Sequence, residues 1–264
     1  MLSIVIPAHN EQGEIERTVL GLSSALAAAE IPHEILVVND HSTDETERVL
    51  RELLPRVPSL RYVNNSESGG FGMAVRAGLS SFSGDVVAIV MADNSDRPED
   101  VVLFYQVMVQ RGVDCVFGTR WSGGGSTVDY PLPKWVLNRA ANKFIQALFW
   151  SGYNDVTNAF KMYRREVIEG IQPILSHHFN LTVELPLKAM VRGYTFCVVP
   201  NGWINRKTGI SKLKVKEMGS RYLFIVLYCL IEKWLSRGDY HQSKRISVER
   251  PAIPGSRERA SATR

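Results

Sequence analysis

The sequence predicts an α/β fold, a mostly parallel sheet flanked by helices with an amphipathic helix near its C-terminus. Three observations carry that reading. Short, branched apolar runs alternate with longer segments of helical spacing. The runs are continuous rather than alternating, as in strands covered on both faces. A polar stretch rich in Asp, Asn and Gly follows the runs, at the strand ends where such sheets keep their ligands.

Leu2–Pro7 reads as the first strand, short and closed by Pro7. Glu11–Glu30 spaces Ile15, Val19, Leu22 and Leu26 as a helix. Glu34–Val38 is the second strand, and Ser42–Leu54 the next helix, with Ser42 as N-cap and Glu45 completing a capping box. Leu60–Asn64, a third strand, leads through a glycine turn into a helix over Gly72–Ser81. Asp85–Met91 and Asp114–Gly118 are the fourth and fifth strands, with a helix over Pro98–Gln110 between them. A flexible loop, Trp121-Ser-Gly-Gly-Gly-Ser126, then opens onto an amphipathic helix over Lys134–Trp150. Asp155–Tyr163 reads as a strand entered from a polar turn, Glu166–Ile171 and Val183–Val191 as helices, and Thr195–Val199 as a strand. Asn205–Leu213 is a basic loop and Arg221–Arg237 one helix. Residues 240–264 form a polar, basic tail expected to be disordered.

With 264 residues, 45% of them apolar, the chain suits one large domain with an appendage. Residues 205–264 carry 14 Lys/Arg against 5 Asp/Glu, a net of +9, which leaves −5 for residues 1–204 in a chain of +4. A basic segment on an acidic body seeks phosphates. Nucleic acid is disfavoured, because 241–264 holds no aromatic to stack on bases. Cys115, Cys197 and Cys229 are far apart and form no CxxC, which argues against zinc and disulfides and for a reducing cytoplasm. The apolar patch in MLSIVIPAHN is too short for a leader, and no run of about 18 apolar residues predicts a spanning helix.

Five polar loops fall at the strand ends: Pro7–Glu11, Asn39–Ser42, Asn64–Gly72, Ala92–Asp96 and Gly118–Arg120. Asp40 suits a hydrogen bond to a ribose or base, or a helix cap. Gly69, Gly70 and Gly72 allow close approach of a phosphate or sugar, or serve a tight turn; neither GK[ST] nor GxGxxG is present. Asp93 and Asp96, three apart around Asn94, offer hard oxygens to Mg²⁺ or Mn²⁺, while Asp100 favours the dipole of its helix. Arg120, Lys134, Arg139, Arg206 and Lys212 form a second, cationic theme.

Together, Ile4–Glu11, Glu34–Asp44, the glycine turn, Met91–Asp100 and Asp155–Tyr163 resemble family 2 glycosyltransferases, and within them the polyprenyl-phosphate (dolichol-phosphate) mannosyl/glucosyltransferases. The resemblance covers roughly residues 1–240. It implies a GT-A, Rossmann-like fold, a nucleotide-sugar donor, a divalent metal and inversion at the anomeric carbon. It places Pro7, His9, Glu11 and Asp40 on the nucleotide, with Gly70, Gly72 and Asp93 also on the donor. Arg120, Lys134, Arg139 and Arg206 face phosphate, and Ser211-Lys212 lie in a loop closing over the donor. Three departures stand out. Asn39 replaces the first of two Asp, Asn138 replaces a Ser, and the Asp-Ala-Asp metal motif is shifted. Counting back from Pro98 puts Ala92 and Asn94 on its two Asp; matching charge gives Asp93 and Asp96. The charged register is preferred, because a metal needs charge.

A phosphate monoester, with its second pKa of about 6, is already nucleophilic at neutral pH and needs positioning rather than a base. A hydroxyl acceptor on a glycan, protein or small molecule would need one, and Asp155 and Glu184 are the candidates. A metal-independent sugar-nucleotide binding module is a further reading. Tyr222–Ile231, ten unbroken apolar residues with basic flanks, is too short to span a bilayer. It suits a membrane interface, or burial against the catalytic domain. The expected organisation is a catalytic domain over 1–215, an interface helix over 216–239 and a tail over 240–264. The expected function is hexose transfer from a GDP-mannose or UDP-glucose type donor to a polyprenyl phosphate, peripherally on the cytoplasmic face of a membrane or beside a membrane partner protein.

Overall fold

The computed structural model describes residues 1–205 and 215–241. Strands β1 (Leu2–Ala8), β2 (His33–Asn39), β3 (Leu60–Asn64), β4 (Val86–Ile89) and β5 (Cys115–Thr119) alternate with helices α1 (Ile15–Ala28), α2 (Thr46–Leu53), α3 (Phe71–Ser81) and α4 (Pro98–Arg111). Then follow β6 (Ser126–Val128), α5 (Leu132–Phe149), β7 (Lys161–Arg164), α6 (Arg165–Gly170), α7 (Leu181–Val191), β8 (Phe196–Pro200), β9 (Gly202–Ile204) and α8 (Val215–Leu235). Seven strands form one sheet in the order β3-β2-β1-β4-β7-β5-β8, and β6 and β9 pair in a small second sheet. The mostly parallel, helix-flanked sheet read from the sequence is the one observed.

Successive strand residues feed opposite cores, as the two-residue period requires. Ile4, Ile6, Ile35 and Val37 meet α1, α2 and α4, whereas Val5, Leu36 and Val38 meet the layer built from α3 and α5–α8. The continuous apolar runs therefore mark strands buried on both faces. Gly112 ends α4 in the left-handed region (φ 64°), which a glycine adopts without strain.

Three local expectations change. The helix expected from Ser42 begins at Thr46: Asp44 Oδ1 accepts from Thr46 N at 3.0 Å, and Ser42 Oγ instead accepts from Asn10 N. The strand expected over Asp155–Tyr163 is regular only from Lys161, and it runs antiparallel between β4 and β5. Its reversal places the preceding 155–160 turn at the carboxyl edge of the parallel strands. Finally, α8 is both buried and exposed. Ile225, Val226 and Cys229 face the core, while Leu223, Phe224, Leu227, Ile231 and Trp234 are exposed. No described helix is long and apolar enough to cross a membrane. The basic loop after Asn205 and the tail after His241 lie outside the described residues.

Candidate functional site

Beyond β4 the chain folds into a closed acidic turn. Asn94 takes a left-handed conformation (φ 55°), which an Asn tolerates. Asp93 Oδ1 accepts from Ser95 N at 3.2 Å and Asp96 Oδ2 from Met91 N at 3.0 Å. β9 fastens the turn from outside: Ile204 N donates to Ser95 O, and Asp96 bridges to Trp203. Asp100, in the first turn of α4 as expected, also accepts from Gly202 N at 2.8 Å. Burial pushes the Asp96 carboxyl up to about 7; the Met91 N–H opposes this, Asp93 and Asp100 add to it, and Arg120 opposes it. Asp96 is thus a buried carboxylate short of positive charge.

The cation whose charge reaches Asp96, Arg120, is already engaged. At the end of β5, Arg120 Nε and an Nη meet the two oxygens of Asp155 at 2.9 and 2.7 Å, and Arg120 N meets Asp155 at 3.0 Å. Arg120 is 8% exposed and Asp155 fully buried. Asp155 therefore does not fit the expected role of a general base, because both its oxygens are bound by a guanidinium that fixes them. Lys161, fully buried and missed in the sequence, ties down the turn that carries Asp155. Its ammonium donates to the carbonyls of Val156, Asn158 and Thr182. Burial lowers its pKa to about 7, with Asp155 opposing.

Around Arg120 the structure assembles an aromatic frame that the sequence did not foretell. Arg120 lies over Trp121 and Tyr130 at 5.3 and 5.8 Å from the ring centres. Lys134 lies between Tyr130 and Trp203 at 5.5 and 5.4 Å, and Arg139 over Trp121 at 5.5 Å. Such contacts hold cations in place without neutralising them. Trp121 Nε1 is buried with no hydrogen-bond partner. Asn138 Nδ2 donates to Thr157 Oγ1 at 2.7 Å, so this helix position braces the 155–160 turn. Arg120, Lys134 and Arg139 are brought together; Arg206 and Lys212 lie outside the described residues. A signal for part of the frame did exist: Tyr130 precedes Pro131, and Trp203 follows Gly202.

The opposite rim differs from its reading. Pro7 is buried within β1, paired in register with Val38, so it supports the edge rather than lining a pocket. His9 Nδ1 is 2.6 Å from Asp40 O, and Glu11 N donates to Thr46 Oγ1. Asp40 does not cap α2: its oxygens accept from Asn65 Nδ2 and Gly70 N, both at 2.8 Å, and His41 Nδ1 lies 3.1 Å from Oδ1. Gly70 and Gly72 also face protein. A Cβ on Gly72 would lie 2.5 Å from the His177 carbonyl carbon, and one on Gly70 2.8 Å from His177 O. The glycines admit the 176–178 backbone, the tight-turn alternative, rather than a donor. Glu184, the other candidate base, is fully buried: it accepts from Leu175 N and Ser176 N at 2.7 Å and pairs with Lys188 at 2.7 Å.

Residues 3–171 match the model of Glycosyl transferase family 2. The chain belongs to that family. This transferase is 30% identical over 234 residues to a polyprenol monophosphomannose synthase of Mycolicibacterium smegmatis, covering 83% of this chain and 86% of the relative. It is 29% identical over 222 residues to a dolichol-phosphate mannosyltransferase of Pyrococcus furiosus, covering 82% of this chain and 60% of that longer protein. Among solved structures it resembles glucosyl-3-phosphoglycerate synthase from Mycobacterium tuberculosis in complex with Mn²⁺, UDP and glucosyl-3-phosphoglycerate. That likeness has a TM-score of 0.65 at 19% identity, over 88% of this chain and 79% of the other. The same enzyme in complex with Mg²⁺ and UDP gives 0.63. The fold is GT-A, and the transferase carries its acidic turn and cationic frame on the carboxyl edge of that sheet.

Proposed function

We propose that this glycosyltransferase moves a hexose from a nucleotide-sugar donor of the GDP-mannose or UDP-glucose type to a polyprenyl phosphate, with inversion. The observation that carries the reading is the state of the two candidate bases. Asp155 is clamped by Arg120, and Glu184 is held by two backbone N–H groups and Lys188. A hydroxyl acceptor would find neither of these two carboxylates free to act as its base, whereas an ionised phosphate needs none. Lys134 and Arg139 supply the positive field that would hold such an acceptor, and the aromatic frame shared with Arg120 fixes their positions. The relatives named for polyprenol and dolichol phosphate support the same choice.

Asp93 and Asp96, with Asn94 beside them, fit a divalent cation. Among the described residues no three His, Cys, Asp or Glu side chains cluster as a complete ligand cage. Mg²⁺ and Mn²⁺ suit such a partial set, since one or two carboxylates suffice when substrate phosphates complete the shell. The raised Asp96 pKa marks a pair that positive charge would relieve. The metal would supply charge neutralisation for the departing diphosphate. Asp93 and Asp96 would orient the donor, Lys134 and Arg139 would draw the acceptor phosphate in line, and Trp121 and Trp203 would exclude water.

In this reading residues 1–215 are the catalytic domain and 216–239 lay the exposed row Leu223, Phe224, Leu227 and Ile231 on a membrane interface. The test is a panel of nucleotide sugars with Mg²⁺ or Mn²⁺, each with and without a short polyprenyl phosphate. Transfer to the lipid, or donor hydrolysis stimulated by it, is expected. Donor turnover unaffected by the lipid would reject the acceptor class.

A further inference from the structure

We propose that the groove between residues 175–180 and residues 220–225 of α8 binds the phosphate ester of a membrane-lipid headgroup, apart from the catalytic cations. The groove encloses about 450 Å³ and is lined by Leu175, His177, His178, Asn180, Arg221 and Phe224, among others. Among the described residues its lining holds a guanidinium and two imidazoles but no acid. It shares no residue with the Arg120, Lys134 and Arg139 cluster.

The groove is a built site. Leu175 N and Ser176 N are anchored on Glu184, and Met73 N donates to His177 O. The Phe179 ring stacks on Phe71 at 4.3 Å, and Tyr222 OH donates to Phe179 O at 3.1 Å, which ties this wall to α8. On that wall Asn180 is 5% exposed, yet its Oδ1 is buried without a partner. The unpartnered atom is an acceptor, and the amide turned over would place N–H donors there instead.

The occupant is a lipid because the groove has two chemistries. Phe224, 60% exposed, belongs both to the groove and to the exposed apolar row of α8 with Leu223, Leu227 and Ile231. A free phosphate would leave that surface unused. An anionic headgroup would meet Arg221, His177 and Asn180 while its chains lie along the row. The inference rests on the reading of α8 as membrane-facing.

The test uses the full chain and the double variant His177→Ser/Arg221→Ser, both exposed positions outside the catalytic cluster. Titration with dihexanoyl phosphatidic acid and with inorganic phosphate is paired with flotation on phosphatidylcholine vesicles with and without phosphatidic acid. The wild type is expected to bind the short lipid at least about tenfold more tightly than inorganic phosphate. The double variant should lose about tenfold or more, as expected for a charge-assisted hydrogen bond, and should keep transfer to polyprenyl phosphate in detergent. Equal lipid affinity of variant and wild type would overturn the proposal, as would inorganic phosphate binding as tightly as the lipid. Lipid binding that persists without any transfer to polyprenyl phosphate would support the groove and overturn the acceptor reading instead.

Discussion

Glu34 and Asp96 are buried carboxylates at opposite ends of the same sheet, and they are held in opposite ways. Glu34 sits at the start of β2, where Ser3 Oγ donates at 2.5 Å, Arg61 Nε at 2.8 Å and Ser83 N at 2.6 Å. Burial pushes its pKa up, but those donors overcome it and hold the carboxyl at about 2. Asp96, past the end of β4, has one backbone donor at 3.0 Å and other carboxylates for neighbours, and stands at about 7. The amino end of the sheet completes its charges from within the chain, as a structural site does. The carboxyl end leaves negative charge incomplete, as a site reserved for an external cation does.

Asp155 is the sharpest control on that contrast, since it lies on the same edge as Asp96 yet has its own cation. As a clamp rather than a base, it should show its loss first in stability. Asp155→Asn leaves the buried Arg120 unpaired, at a cost of about 3–5 kcal/mol, or about 10 °C in Tm for a chain of this size. Calorimetry checks this. An unchanged Tm together with lost transfer would restore the base role and break the comparison.

The acidic turn predicts the reverse pattern. Asp93→Ala should lower metal-dependent transfer by about 10²–10³-fold, the usual scale for removing electrostatic support from a developing charge, while Tm barely moves. Steady-state rates across a Mn²⁺ titration read this directly. Intact metal-dependent activity in Asp93→Ala would remove the metal role from this turn.

Most of the sheet was legible because a strand buried on both faces must be apolar throughout, as Val86–Ile89 and Cys115–Thr119 are. The acidic turn was legible for the converse reason: few structures tolerate four acids after a buried strand. The glycine turn was not. Whether Gly72 faces a ligand or a neighbouring backbone depends on residues 176–178, a hundred positions away. The role of Asp155 is hidden in the same way, since a carboxylate reads as a candidate base until its Arg120 partner, 35 residues off, is placed. The Trp121, Tyr130 and Trp203 frame depends on the pairing of β6 with β9, and three-residue strands leave no periodic trace.

Asp96→Asn turns the comparison into a pH experiment without metal. The unfolded carboxyl ionises near 3.8 and the folded one near 7. Below 3.8 both states hold the proton and Asp96 costs nothing. Between 3.8 and 7 the unfolded state alone ionises, so stability falls as pH rises, and above 7 the loss is complete. In a chelator, Asp96→Asn should match wild type near pH 4 and exceed it by about 2–3 kcal/mol at pH 8, a figure discounted for relaxation of the turn. Thermal denaturation across that range measures it. Variant and wild-type curves that stay parallel from pH 4 to pH 8 would show that Asp96 has no charge deficit.

Glu34→Gln should give the opposite sign and a smaller effect. The folded pKa of Glu34, about 2, lies below its ordinary 4.5, so its contribution is complete above 4.5 and disappears as pH falls through 2. The variant keeps an acceptor for Ser83 N but gives up the charge facing Arg61. Arg61 is partly exposed, with 39% of its side chain accessible, so solvent screens the pair. A loss of about 1–2 kcal/mol at pH 7 is expected, shrinking toward zero near pH 2. Chemical denaturation at the two pH values separates this from a packing defect, which would cost the same at both. With both variants in hand, the stability difference between them should widen from pH 4 to pH 8, because one end of the sheet gains from losing a charge and the other end does not.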